Sequence, residues 1–372
     1  MSEQPPSPQD AEEQYTGFPR TFIQLLIQER LFIAILGVAF LLAGFTYSQP
    51  SVAMWVGFLF AGYAVIANDS IQTIGTFIAA NKHRPWWVLW LFVGGVMLLT
   101  VGYGWMVNGG DVTYGRLSSK GFSEAPTSFA FLQVAGPLFL LILTRLRIPV
   151  STTFLLLSSF ATTTKGITAV LVKSVSGYVI AIVVALLVWG AMGKLIHRRF
   201  TGEPHRSWHG ALWASTAFLW SMWLIQDAAN VAVFLPRALS PAQFAVFAGV
   251  LFFGLAVLFR MGGDKIQQIV EEKAAVVDVR HATMINLIYA VILFVFKIWS
   301  SIPMSTTWVF LGLLAGRELM LNVTAAKEQQ RPKRDIAKLV GKALLFVTSG
   351  LVVSVVIAAA VNPRISETLL NL

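Results

Sequence analysis

Long apolar runs make up most of the chain, and short polar segments separate them. Runs that approach or exceed the length needed to cross about 30 Å of hydrocarbon occupy Leu31–Ser48, Val88–Val107, Phe129–Leu146, Tyr178–Ile196, Phe244–Phe259, Met284–Trp299 and Ala343–Val361. A spanning segment must satisfy its own backbone hydrogen bonds, which leaves helices or closed barrels. Because the runs are continuous and do not alternate, the pattern predicts helices and an all-α, polytopic integral membrane protein.

The composition supports this class. Of the 372 residues 56% are hydrophobic and 12% are charged, whereas soluble domains carry about 25% charged residues. The net charge of +10 resides mainly in short loops between apolar runs, which is the positive-inside pattern of membrane proteins and not a nucleic-acid surface. The chain has no cysteine, which excludes disulfides, thiolate metal sites and cysteine nucleophiles.

Two polar phrases interrupt the apolar sequence and repeat each other: RIPVSTTF at 147–154 and SIPMSTTW at 301–308. Proline is favoured at the first position of a helix, and the residue before it is driven out of the α conformation. Each phrase therefore predicts a half-helix that begins at membrane depth, where its unpaired N–H groups and positive dipole end form an anion site. The alternative is a proline kink whose hydroxyl groups bond back to the preceding turn. The predicted substrate ligands in the phrases are Ser151, Thr152, Thr153, Ser305, Thr306 and Thr307.

A carboxylate with amide neighbours precedes each phrase. The first signature is ANDSIQTIGT at 67–76, and the second is IQDAANVAVF at 225–234. In both, an amide residue precedes the Asp and another follows it by three positions, which places the last two on one helix face. A charge at membrane depth usually marks an ion path, although interhelical polar contact is the alternative. Oxygen ligands favour a hard cation such as sodium. The predicted sodium ligands are Asn68, Asp69, Gln226 and Asp227, and Gln72 and Asn230 are further predicted substrate ligands.

The repeated motifs indicate a duplicated unit. The signature, a Gly-Gly-Asp tripeptide and the Ser-Thr-Thr phrase recur in the same order and at nearly constant spacing, which favours repeats at 50–200 and 205–362. The basic loops 194–206 and 327–342 would lie on opposite membrane faces in parallel units and on one face in inverted units. Inverted-topology repeats, the architecture of many secondary transporters, are therefore predicted.

The ends of the chain complete the predicted topology. Residues 1–20 are polar and rich in proline and are expected to be a disordered cytoplasmic tail, followed by an extra helix within 21–49. Basic residues before the first span place the N-terminus in the cytoplasm, and the weakly basic tail 363–372 is expected outside the cell. The predicted location is the cell membrane.

The paired signatures and phrases resemble those of the inorganic phosphate transporter (PiT) family, whose relatives include sulfate permeases. The resemblance covers nearly all of the chain beyond residue 50. It implies a secondary active transporter of a small inorganic oxyanion, coupled to sodium, with no other cofactor, and leaves a homodimer open. The chain departs from the family pattern at Ile66, Gln72, Gln226, Phe154 and Trp308, which replace Gly, Asn, Asn, His and His.

Other functions lead to different expectations. An oxyanion beside two carboxylates needs a bound cation or protonated carboxyl groups, so a proton-coupled sulfate or oxyanion permease is the alternative to sodium coupling. A passive anion channel would not need the paired Asp residues, and a non-transporting sensor is a further alternative. An enzyme is not expected, because no His or Cys lies at membrane depth. Direct use of ATP is not expected either, because the sequence contains no phosphate-binding glycine loop.

Overall fold

The computed structural model describes residues 29–119, 121–146, 152–160, 164–261, 278–295 and 305–324, together with 341, 345, 348–349, 352–353, 355–362 and 366–367. Within these ranges every regular element is helical. The α-helices are α1 Arg30–Thr46, α2 Pro50–Val65, α3 Ile71–Ala80, α4 Trp86–Val107, α5 Arg116–Ser119, α6 Phe131–Arg145, α7 Thr152–Phe160, α8 Thr164–Arg199, α9 Ser207–Val231, α10 Pro241–Arg260, α11 Val279–Ile292 and α12 Thr306–Thr324. A π-helical turn, Ile66–Ser70, joins α2 to α3, and a 3₁₀ turn, Ala232–Phe234, follows α9.

Five helical segments of the described chain are long and apolar enough to cross a membrane: Pro50–Asp69, Trp86–Val107, Ser176–Gly193, Ser207–Phe234 and Pro241–Arg260. The protein is therefore all-helical with membrane-spanning character, as the apolar runs predict. The spans Pro50–Asp69 and Ser207–Phe234 contain the apolar stretches 52–67 and 212–225, which lead into the two signatures and are expected to be helical. The runs that begin at 31 and 129 form the shorter apolar helices α1 and α6, and the described residues of the run 343–361 are helical.

Local sequence signals explain where several helices begin. Pro50 and Pro241 occupy the first turns of α2 and α10, where a missing N–H costs nothing. Ser240 accepts a hydrogen bond from the Gln243 backbone N–H, and the Gln243 side chain accepts one from the Ser240 N–H, which completes a capping box. The Asp278 carboxylate caps α11 by accepting from the Arg280 N–H at 2.8 Å.

Helices α8 and α12 cross at very close range through two glycines. A Cβ atom on Gly312 would lie 2.6 Å from the Tyr178 carbonyl oxygen, and one on Gly316 would lie 2.6 Å from the Ala185 Cβ and 2.9 Å from the Ile182 carbonyl oxygen. The two glycines are four positions apart, the small-residue spacing that lets membrane helices approach closely. This contact joins α8, the long helix after α7, to α12, the helix that begins in the second phrase.

Hydrogen bonds from Arg237 hold the loop between α4 and α6 in place. The Arg237 guanidinium donates to the carbonyl oxygens of Phe122 and Glu124 at 2.8 and 2.7 Å, and also to carbonyl oxygens of the 3₁₀ turn that follows α9. The Gly110 carbonyl accepts from the Leu239 N–H at 2.9 Å. Gly110 adopts φ +96°, and a Cβ there would lie 3.0 Å from the Leu239 carbonyl oxygen, so this position requires glycine. The loop is thus held against the end of α9, close to the second signature.

Replacing Gly316 with alanine tests the α8–α12 contact. The added methyl group meets main-chain as well as side-chain atoms, so we expect Gly316→Ala to destabilise the protein by about 1–3 kcal/mol. Gly95→Ala in α4 is the matched control, since nothing lies within 4 Å of its added Cβ; it should be neutral or stabilising by up to about 1 kcal/mol. Thermal unfolding in detergent compares the two variants, and equal midpoints would contradict close contact at Gly316.

Candidate functional site

The first signature lies at the junction of α2 and α3, in the π-helical turn Ile66–Ser70. Such single turns occur frequently at functional sites. Asn68 and Asp69 are both buried, each 1% exposed. The Asn68 side-chain amide donates to Asp69 Oδ1 at 2.6 Å, and the Thr73 hydroxyl donates to the Asp69 main-chain carbonyl at 3.1 Å. A buried carboxylate therefore lies at the end of the first candidate span.

The second signature lies on the last turns of α9, in ordinary α-helix. The side-chain amide of Asn230 donates to Asp227 Oδ1 at 2.8 Å, and both residues are fully buried. Gln226, also fully buried, donates from Nε2 to the Leu293 carbonyl oxygen at 3.4 Å. This contact orients the Gln226 amide with its nitrogen towards Leu293 and leaves Oε1 as an acceptor. The two signatures therefore present similar groups on different backbone geometries.

The hydroxyl groups of the phrases bind these carboxylates. The Thr152 hydroxyl, on the first residue of α7, donates to Asp69 Oδ2. The Thr306 hydroxyl, on the first residue of α12, donates to Asp227 Oδ2 at 2.9 Å. All four side chains are at least 98% buried. Each signature is thus linked to the phrase that follows it by the same pair of residue types.

The carboxylates of Asp69 and Asp227 both lie beside the first turn of α12. While Thr306 donates to Asp227, the next residue, Thr307, places its hydroxyl 3.5 Å from Asp69 Oδ1, at the limit of a hydrogen bond. The Tyr289 hydroxyl donates to the Thr306 carbonyl at 2.8 Å and lies within electrostatic reach of both carboxylates. The first turn of α12 therefore brings the two signatures into a single cluster.

Most of the predicted ligands belong to this cluster. The structure brings together Asn68, Asp69, Thr152, Asp227, Asn230, Thr306 and Thr307. The Gln226 side chain, one residue before Asp227, contacts the Leu293 carbonyl, and Ser305 is buried just before α12. Ser151 and the prolines of both phrases lie outside the described residues, as do the side chains of Thr153 and Gln72. The helices that follow the phrases differ in length, with nine residues in α7 and nineteen in α12.

The donor set suits a hard monovalent cation better than a transition metal. Among the described residues no three His, Cys, Asp or Glu side chains form a metal-binding group, and the cluster offers carboxylate, amide and hydroxyl oxygens. Gln226 Oε1 is buried and accepts no hydrogen bond from any residue that the structure describes. A buried acceptor in that state is costly unless a ligand satisfies it, and a cation would do so.

Two polar residues near the cluster were missed by the sequence analysis. Burial lowers the pKa of Arg116 in α5, and Asp227 opposes this by raising it, so the guanidinium lies within electrostatic reach of the second carboxylate. A single arginine in a predicted loop gives no sign in the sequence that its guanidinium lies near Asp227. Asn286 accepts from the Thr76 hydroxyl at 2.7 Å and donates to the Thr216 hydroxyl at 2.9 Å. The presence of the polar Asn286 inside the apolar run 284–299 could have indicated its role from the sequence.

No protein-family model matches this chain, and no curated protein or solved structure matches it. The assignment of a function therefore depends on the residues of the cluster and their geometry.

Removing the Thr306 hydroxyl tests the bond to Asp227. Thr306→Val keeps the shape of the side chain but takes a donor from a buried carboxylate, so we expect a loss of about 1–3 kcal/mol in stability. Thr283→Val is the control, because that buried hydroxyl donates only to a carbonyl of its own helix, Val279, at 2.8 Å. Melting midpoints in detergent should fall clearly further for Thr306→Val, and the reverse order would refute the pairing.

Proposed function

We propose that the protein is a secondary active transporter of a small inorganic oxyanion, phosphate or a similar ion, coupled to sodium and located in the cell membrane. The observation that carries the proposal is the repeated pairing of a buried carboxylate with a threonine at a helix start: Asp69 with Thr152 and Asp227 with Thr306. Ionisable groups within membrane-spanning segments are expensive and mark ion paths by default. A helix start supplies the unpaired N–H groups that an anion requires.

The contacts between helices support the division into repeats at 50–200 and 205–362. Helix α2 packs against α6 in the first half, and α9, which occupies the matching place in the second half, packs against α11. Between the halves, α4 contacts α9 and α10 contacts α2, again as a matching pair. With the charge distribution of the basic loops, this arrangement favours inverted-topology repeats with the site at their interface.

Charge balance requires a cation. An oxyanion about 4 Å from a carboxylate is repelled by about 4 kcal/mol at an effective dielectric constant of about 20. The dipoles at two helix starts together stabilise the anion by about 1–4 kcal/mol, which does not offset the repulsion from two carboxylates. Sodium bound by the oxygens of Asn68, Asp69, Gln226 and Asp227 neutralises the site, and the buried Oε1 of Gln226 is an acceptor suited to it.

Anion binding is coupled to sodium binding because the carboxylates and the anion use the same hydrogen-bond donors. The hydroxyls of Thr152 and Thr306, which are predicted substrate ligands, are already donating to Asp69 and Asp227. A hydroxyl has one proton and can donate it to one acceptor at a time. When sodium binds a carboxylate, the hydroxyl is released to turn towards the anion. The amide of Asn230, now donating to Asp227, is released in the same way.

Sodium dependence is the decisive test of function. Purified protein in proteoliposomes should take up radiolabelled phosphate or sulfate faster with an inward sodium gradient. Asp69→Asn and Asp227→Asn should each reduce the sodium-stimulated rate at least about 10-fold, since each removes a charged ligand. Asp111→Asn is the control, because that loop carboxylate accepts hydrogen bonds from the nearby backbone N–H groups of Thr113 and Gly115.

Other results of the same assay would replace the proposal. Stimulation by a proton gradient and not by sodium would indicate the proton-coupled permease. Uptake that follows the anion gradient alone would indicate a passive channel. Absence of uptake for both anions would leave a non-transporting sensor.

The proposed topology predicts the accessibility of the two ends of the chain. Because the sequence contains no cysteine, Ser7→Cys and Ser366→Cys each introduce a single thiol. A membrane-impermeant maleimide should label Ser366→Cys in intact cells and should label Ser7→Cys only after permeabilisation. The opposite pattern would reverse the orientation, and labelling of both in intact cells would exclude termini on opposite faces.

A further inference from the structure

Two buried hydrogen-bond donors that no described acceptor uses lie in one contact group on α8 and α12. Trp308 is 1% exposed and Tyr178 is 6% exposed, and they pack together with Leu311. Neither the indole Nε1 of Trp308 nor the hydroxyl of Tyr178 has a hydrogen-bond partner among the residues that the structure describes. Buried donors are almost always paired, so two unpaired donors in one contact group need an explanation.

The helix geometry places Trp308 in the first turn of α12 and the Tyr178 ring beside the next turn. Trp308 is the third residue of that helix and directly follows Thr307, whose hydroxyl faces Asp69. Side chains on a helix lean towards its N-terminus, so the indole lies over the first turn. A Cβ on Gly312 would lie 3.2 Å from the Tyr178 ring, which places that ring one turn further along the same face.

The donors nearest the carboxylates are already in use. Thr152 and Thr306 donate to Asp69 and Asp227, so in this conformation their hydroxyl protons are not available to an anion. Until a cation releases those hydroxyls, an oxyanion that approaches the first turn of α12 depends on other donors. Trp308 and Tyr178 supply an N–H and an O–H that no described acceptor uses. Both groups are neutral, and in an apolar setting neutral donors hold an anion without the desolvation cost of a buried cation.

We propose that Trp308 Nε1 and the Tyr178 hydroxyl bind the transported oxyanion at the first turn of α12. The ligand class is a tetrahedral inorganic oxyanion, for which sulfate and phosphate are the probes. The inference rests on the proposed function and adds two substrate-binding residues, one from α8 and one from α12, to that site.

Unpaired indoles elsewhere do not form a comparable site. Trp189 on α8 and Trp223 on α9 are also buried with Nε1 atoms that have no partner among the described residues. Both belong to the large apolar core and not to the small contact group of Trp308, Tyr178 and Leu311. Trp189 lies about 16 Å along α8 from Tyr178, at a rise of about 1.5 Å per residue, and so provides a matched control.

Calorimetric titration of the purified full-length protein in detergent with sodium present tests the proposal, with sulfate and phosphate titrated separately. Tyr178→Phe and Trp308→Phe should each weaken binding of the anion that the parent protein binds by about 10- to 100-fold, the effect of losing a hydrogen bond to a charged group. Trp189→Phe should leave the affinity unchanged. Without anion, Tyr178→Phe should melt at the same temperature as the parent or higher, because it removes a buried hydroxyl that has no acceptor.

The outcomes separate this inference from the proposed function. Unchanged affinity in Tyr178→Phe and Trp308→Phe would overturn the inference, and the function would stand if sodium still drives uptake by the parent protein. Equal weakening by Trp189→Phe would also overturn it, because the effect would then be a general disturbance of α8. A parent protein that binds neither anion with sodium present would refute the inference and the proposed function together.

Discussion

The need to satisfy two buried carboxylates constrains the centre of the molecule. Asp69 and Asp227 are 1% and 0% exposed, and an unpaired ionised carboxylate in an apolar interior costs many kcal/mol. Each carboxylate accepts a hydrogen bond from an amide in its own signature and another from the threonine that begins a later helix. Because those threonines are the first residues of α7 and α12, the starts of these helices must lie beside the ends of α2 and α9.

The predictable parts of the structure are those with a local cause. Apolar runs predict spanning helices because hydropathy depends on neighbours in sequence, and Asp69 and Asp227 stand out because a charge in such a run is costly. The close α8–α12 crossing was not predicted, since Gly312 and Gly316 reveal their role only when α8 approaches. The position of Arg116 depends in the same way on a loop that Arg237 holds in place. The π-helical turn at the first signature also has no residue that demands it.

The two carboxylates are chemically similar but differ in surroundings. Asp69 lies in a π-helical turn and is approached by the hydroxyls of Thr152 and Thr307. Asp227 lies in regular helix, receives Thr306 and Asn230, and also experiences the positive charge of Arg116. A nearby positive charge opposes cation binding and favours an anion. In the proposed transporter, Asp69 is therefore the stronger cation site, and the Asp227 side is the more favourable approach for the anion.

In the proposed transporter, the hydroxyl groups shared between carboxylate and anion determine how strongly anion binding is coupled to cation binding. An anion that recruits the hydroxyl of Thr152 or Thr306 before a cation has bound leaves a buried carboxylate without that donor, at a cost of about 1–3 kcal/mol for each pair. Two pairs amount to about 2–6 kcal/mol, which corresponds to roughly 30-fold to 10⁴-fold weaker anion binding without the cation. By thermodynamic linkage the anion strengthens cation binding by the same factor. Each hydroxyl–carboxylate pair that stabilises the fold thus also opposes binding of the anion alone, and no separate coupling device is required.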